Sequence, residues 1–328
     1  LSNIWFCSKL RKVPDQVRDD ERVGNAMTHL VFSDEVRTAL DEGRPVVALE
    51  STILTHGLPR PDNLAIGREI EEEVRAAGAI PATVAVLGGE VRIGLSTADL
   101  AGLCASEETI KLSRRDLGIA VAKGWTGGTT VAATMILAER AGIEVFATGG
   151  IGGVHRGAEL DFDISADLEE LARTPVMVVS AGAKSILDLP KTLEVLETKG
   201  VPVIGYRTDE FPAFFCRQSG LKVPLRLDSA AEIAACWRAG RGLELENGML
   251  VANPVPEEHA LPRTEMDRII EDALYEAKRT GTSGKQVTPY LLSEIRNATA
   301  GASLRTNIEL VRANARLAAE IAVALRQN

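Results

Sequence analysis

The chain has 328 residues, 45% hydrophobic and 25% charged, which is ordinary for a globular protein and ample for a large core. A net charge of −9 argues against a nucleic-acid partner, although it is compatible with a local basic pocket, and aromatic residues at 4% argue against a base-stacking platform. No apolar run reaches the roughly 18 residues of a membrane span, and Cys7, Cys104, Cys216 and Cys236 lack zinc spacing, so they read as reduced thiols of a cytoplasmic protein.

Residues 1–26 mix charges densely without periodicity and lack the apolar segment of a signal peptide. They read as a disordered extension or a start-site artefact ahead of Met27, which opens a single domain over 27–328. From residue 34 onward, apolar runs alternate with amphipathic segments. The spacing predicts strands at Val46–Leu49, Thr83–Leu87, Val145–Thr148, Val176–Ser180, Val201–Tyr206 and Met249–Ala252. A helix is predicted over 63–77, with Ile66, Ile70 and Val74 on one face and Gly78 as its stop. In the last helix, Ile308, Val311, Ala315, Ala318, Ala322 and Leu325 form a packing stripe. The alternation argues for an α/β fold with a largely buried sheet, in which sites gather where strands end.

Each strand end offers a chemical reading and a bland one. Glu50, just past an apolar run, could be a proton donor with a raised pKa or a loop cap. His56 nearby reads as structural. Gly127–Thr130 ahead of a helix starting near Val131 could hold an anion on free backbone N–H groups, or be a plain N-cap. Lys111, Arg114 and Arg115 could neutralise a phosphate or be surface charges. Gly149, Gly150, Gly152 and Gly153 with His155 and Arg156 suggest a flexible, closely approachable loop. Asp161, Asp163 and Asp167 follow, suiting a hard divalent ion, unless Asp163 or Ser165 merely caps a helix. In "VMVVSAGAKSILDLP", Lys184 falls where a buried strand hands over to what looks like a helix at Ser185–Leu187. A lysine among apolar residues gives up its charge more readily, and a neutral amine attacks carbonyls. The alternative is an ion pair with Asp163 or Asp188.

The segments "PVVALESTILTHGLPRPDN", "KLSRRDL", "TTVAATMILAERAGIEVFATGGIGGVHRGAE", "FDISADL", "SAGAKSILDLP", "GVPVIGYRTDEFPAFF", "VANPVPEE" and "SLRTNIELVRANA" resemble the pseudouridine-5′-phosphate glycosidase (pseudouridylate synthase) family, which includes indigoidine-synthase A-like proteins. The resemblance covers residues from about 34 to about 326 and implies a three-layer α/β/α sandwich around a mixed, largely buried sheet, as a homotrimer. It implies reversible cleavage of the carbon–carbon glycosidic bond of pseudouridine 5′-phosphate to uracil and ribose 5-phosphate. It places Glu50 as proton donor, Lys184 as covalent nucleophile and Asp163 as ligand to Mn²⁺, with Mg²⁺ a possible substitute. Lys111, Val131, Ser165, Ala166 and Asp167 match substrate-binding positions, and Thr148, His155 and Asn307 sit in similar motifs.

That chemistry fits the residue types. The leaving atom is a carbon, C5 of uracil, and two carboxylates alone offer it no electron sink. A lysine imine on the opened ribose supplies one. Competing readings are a Schiff-base aldolase acting on another sugar phosphate, and a non-catalytic phosphosugar-binding module.

Overall fold

The structure is a computed structural model that describes residues 30–282 and 287–327. The extension expected over residues 1–26 lies outside the described residues. The chain runs β1 (Leu30–Phe32), α1 (Asp34–Asp41), β2 (Val46–Leu49), a π-helical turn (Ile53–Gly57), α2 (Asp62–Ala76), β3 (Ile80–Leu87), β4 (Glu90–Ile93), α3 (Thr97–Ala105), β5 (Ile110–Leu112) and α4 (Arg114–Lys123). It continues through β6 (Gly127–Thr129), α5 (Val131–Arg140), β7 (Val145–Ala147), α6 (Ala158–Asp161), α7 (Ala166–Arg173), β8 (Met177–Ser180), α8 (Leu189–Thr198) and β9 (Val203–Tyr206). The remaining elements are β10 (Leu225–Leu227), α9 (Ala230–Gly242), β11 (Met249–Ala252), a short helical turn (Glu257–His259), α10 (Arg263–Arg279), α11 (Val287–Ala298) and α12 (Ala302–Arg326).

The strands join one sheet in the order β1-β4-β3-β2-β7-β8-β11-β9-β10, with β6 bridging β3 and β5. Strands β2, β7, β8 and β11 are parallel to their neighbours and buried throughout. Burial on both faces makes them continuous apolar runs rather than alternating ones. The sheet is mixed because β3 runs antiparallel to β4 and to β6. The tight β3–β4 turn needs positive φ at both central residues, and Gly88 (φ 58°) and Gly89 (φ 85°) supply it.

Helices cover the sheet in two groups. In one, α12 packs on α2 and α9 and lies against β2, β7 and β8. Its alanine-rich stripe (Ala315, Ala318, Ala319, Ala322) is buried. Glu73 of α2 clamps α12 through Arg312 and Arg316, each at 2.7 Å. In the other group, α5 packs on α7 and on β2, β3 and β7. The result is the expected three-layer α/β/α arrangement. Among the described residues, no helix is long and apolar enough to cross a membrane.

Some local expectations change. Strand β3 starts at Ile80 rather than Thr83, whereas β7, β8 and β9 are shorter than predicted by one or two residues. Gly127–Thr129 is not a loop of free amides but strand β6, paired on both sides. The helix after Lys184 begins at Leu189, four residues later than the Ser185 start read from the sequence. Asp188 caps it by accepting from the Lys191 N–H, and Pro190 occupies its first turn.

Candidate active site

A cavity of about 770 Å³ opens at the C-terminal ends of the central strands. Strand β2 delivers Glu50, β7 leads into the Gly149–Gly153 segment, and the loop after β8 delivers Lys184. Glu50, Lys111, Val131, His155, Asp163, Ser165, Ala166, Asp167 and Lys184 all line it, so most of the residues expected from the sequence converge. Two stand elsewhere. Thr148 is buried behind Glu50 and donates its hydroxyl to the Glu50 carboxylate. Asn307 lines a side pocket that shares Glu50, Lys111 and Lys184 with the main cavity and is walled by Ile53, Gly150, Phe214 and Leu292. Its Oδ1 is buried without a hydrogen-bond partner among the described residues.

The turn after Glu50 is fixed by buried hydroxyls. Ser51 Oγ donates to the Val84 carbonyl at 2.6 Å and accepts from the Thr129 N–H at 3.0 Å. Thr52 donates to the Gly128 carbonyl at 3.1 Å. This close approach explains Gly128, where a Cβ would stand 2.9 Å from the Ser51 carbonyl oxygen. The glycines after β7 have the same cause. A Cβ at Gly150 would lie 2.7 Å from the Phe214 ring, and one at Gly152 would be 2.8 Å from Asp167 Oδ2. None of Gly149, Gly150, Gly152 and Gly153 has positive φ. They serve close packing, which corrects the reading of this segment as flexible.

Three helices point their N-termini at the cavity: α4 from Ser113, α5 from Thr130 and α7 from Ser165. Their partial positive charges make this end suitable for an anion. Two carboxylates of α7 tie the helices together. Asp167 accepts from the Ala132 N–H of α5 at 2.9 Å and the Gly152 N–H at 2.8 Å. Glu170, only 1% exposed, receives both bonds from Arg114 Nη1, at 2.9 and 2.8 Å. The anion cradle is thus narrower than a row of free amides. Asp167 takes the Ala132 N–H and Thr130 Oγ1 accepts from Ala133, while the Val131 N–H uses neither acceptor.

Burial pushes the Glu50 carboxyl above its ordinary range, against the opposing influences of Lys184 and the Thr148 hydroxyl. Although Glu50 keeps an edge on the cavity, its surroundings desolvate it. His56 is held below its usual value by burial, then by Lys111 and Arg60. The bland alternative for Lys184 is not realised: Asp188 pairs with Lys191 at 3.1 Å, and Asp163 Oδ2 lies 3.8 Å from His155 Nδ1. Ser165, not Asp163, caps α7, which leaves the half-exposed Asp163 carboxylate on the cavity wall. Among the described residues, no group of three His, Cys, Asp or Glu side chains could hold a metal together. The donor set therefore suits only a hard, largely hydrated ion on one carboxylate.

Sequence reasoning missed Thr52, Ser113, Leu187 and Thr288, which also line the cavity. Ser113 was findable, because Ser113 and Asp116 form a capping box at the start of α4. The others are common residues that acquire meaning only when the chain folds.

Fold and site define an α/β protein with a lysine, a desolvated carboxyl and an anion cradle in one cavity. The Indigoidine synthase A like protein family model matches residues 35–324, and the chain belongs to that family. It is 60% identical over 298 residues to a pseudouridine-5′-phosphate glycosidase of Solibacter usitatus (strain Ellin6076), covering 91% of this chain and 100% of the relative. A glycosidase of the same name from Caldanaerobacter subterraneus subsp. tengcongensis is 57% identical over 296 residues, 90% of this chain and 96% of that one. Among solved structures, the prealnumycin C-glycosynthase AlnA in complex with ribulose 5-phosphate is similar with a TM-score of 0.84 and 41% identity, over 90% of this chain and 97% of AlnA. An indigoidine synthase A (IdgA)-like protein from Thermotoga maritima MSB8 gives 0.83 and 39%, over 91% and 97%.

Proposed function

We propose that the protein reversibly cleaves the carbon–carbon glycosidic bond of pseudouridine 5′-phosphate, giving uracil and ribose 5-phosphate. One observation carries this reading: Lys184 and the desolvated Glu50 face a single cavity ringed at one end by three helix N-termini. The names of the glycosidase relatives and the sugar phosphate bound to AlnA support it.

The helix N-termini and Lys111 anchor the phosphate, so binding energy remote from the reaction aligns C1′. The Lys184 amine attacks C1′ and displaces O4′, which takes a proton from Glu50. The amine then loses a proton to the Glu50 carboxylate, and its nitrogen lone pair forms the C1′=N bond. As it forms, the C1′–C5 bond electrons leave with uracil, and Glu50 gives that proton to C5. Water hydrolyses the imine, releasing ribose 5-phosphate and restoring Lys184. The pocket walled by Ile53, Phe214 and Asn307 receives the base. Asp163 would hold a hydrated Mn²⁺ or Mg²⁺, which would polarise and position polar groups of the substrate. We read the assembly as a cytoplasmic homotrimer on the family resemblance alone. Incubation with uracil and ribose 5-phosphate tests the reading, with a C-nucleotide as the expected product and no C-nucleotide as the outcome that rejects it.

A further inference from the structure

Helix α12 carries a fully buried asparagine, Asn314, within its apolar face. A buried amide is tolerated only when hydrogen-bonded, and both ends of this one are. Its Nδ2 donates to the Thr148 carbonyl at 2.8 Å and, more weakly, to the Gly149 carbonyl at 3.4 Å. Its Oδ1 accepts from Asn253 Nδ2 at 3.0 Å. Backbone carbonyls can only accept, so the orientation of the amide is fixed by its partners.

The receiving residue, Thr148, is held at three points. Its N–H donates to the Val179 carbonyl of β8 at 3.0 Å, its carbonyl is held by Asn314, and its hydroxyl donates to Glu50. With the backbone held on both sides, the hydroxyl is presented to the Glu50 carboxylate. Asn253 extends the brace, because its own N–H donates to the Ser180 carbonyl at the end of β8, four residues before Lys184. We propose that Asn314 is a positioning residue for Glu50, acting through Thr148. The inference rests on Glu50 being the proton donor of the proposed reaction.

The test measures kcat, KM and the pH profile with pseudouridine 5′-phosphate for Asn314→Leu, Thr148→Val and the double variant. Asn314→Leu should lower kcat by about tenfold or more and leave KM within about twofold, since the phosphate anchor is elsewhere. The alkaline limb of kcat/KM should move to higher pH, because a misplaced Thr148 hydroxyl no longer favours the ionised carboxylate. In the Thr148→Val background the same substitution should add little, as expected of residues acting as one unit. Asn314→Ser, too short to reach Thr148, should repeat the kcat loss if the leucine variant does not fold. Additive effects in the double variant, or unchanged kcat in Asn314→Ser, overturn the proposal. Glu50→Gln at wild-type rate refutes the role of Glu50 itself, whatever Asn314 does.

Discussion

Glu50 and Lys184 stand after β2 and β8, with β7 alone between those two strands. Two strand spacings separate their origins by roughly 9–10 Å, wide enough for a sugar between an acid and an amine. Thr148, following the intervening strand, touches one of the two, Glu50. The sheet thus sets the spacing before any loop does.

Lys184 should form an imine with the opened ribose. Borohydride added with ribose 5-phosphate is expected to trap an adduct, and peptide mapping should locate it on the segment holding Lys184. Lys184→Ala should be inactive and untrappable yet still bind substrate. Arginine should not rescue it, since guanidinium stays charged. An adduct on Lys111 instead would sink this mechanism.

Glu50→Gln should lower the rate by at least about 10²-fold, the scale of general acid–base catalysis, with far less change in binding. It should also stabilise the fold at neutral pH. The folded-state pKa lies above the ordinary 4.5. Between the unfolded value and that raised value, the folded chain keeps a proton that the unfolded chain releases. Wild-type stability therefore falls as pH rises through this window, and the glutamine variant escapes that loss. Melting curves should coincide below about pH 4 and diverge in favour of Glu50→Gln above it. Equal melting temperatures at pH 8 would contradict the desolvated carboxyl.

Asp163→Ala should abolish metal binding and most activity while leaving stability within about 0.5 kcal/mol, as for a half-exposed side chain. Titration of bound Mn²⁺ by electron paramagnetic resonance checks the first point without relying on turnover. Unaltered Mn²⁺ binding by the variant would remove Asp163 from the metal site.

Asp167→Asn should destabilise the protein by about 1–3 kcal/mol, the scale of a buried donor left unpaired. An amide can accept from either the Ala132 or the Gly152 N–H, but turns its own donor toward the other. Because Asp167 joins α7 to α5, KM for the phosphorylated substrate should rise as well. Chemical denaturation and steady-state kinetics read both, and an unchanged KM would reduce Asp167 to a purely structural link.

The strands β2 and β11 were legible at their full length because burial on both faces writes them as unbroken apolar runs. Strand β6 was not, since two of its three residues are glycines chosen for close approach rather than strand propensity. The glycines after β7 were misread for a related reason: composition does not distinguish freedom of the backbone from exclusion of a side chain. Glu50 and Lys184 could be found because a charged residue just beyond a core strand is conspicuous. Asn314 was hidden within a stripe of small apolar residues. The work of Asp167 was equally invisible, because a carboxylate that ties two helices and one that grips a ligand look alike in a sequence.

The side pocket has walls of two kinds. On one, Gly149 and Gly150 are hemmed in: a Cβ on Gly150 would run into Phe214, and one on Gly149 would lie 3.1 Å from Val311. On the other, Thr288, Pro289 and Leu292 come from α11, a helix with only Leu291 and Ile295 buried among its described residues. The glycine wall has no slack for a methyl group, whereas the α11 wall is made of half-buried side chains, of which Leu292 also packs on the core. A protein of this architecture that accepts a bulkier aglycone would be remade along the side chains of α11, leaving the sheet with Glu50 and Lys184 untouched.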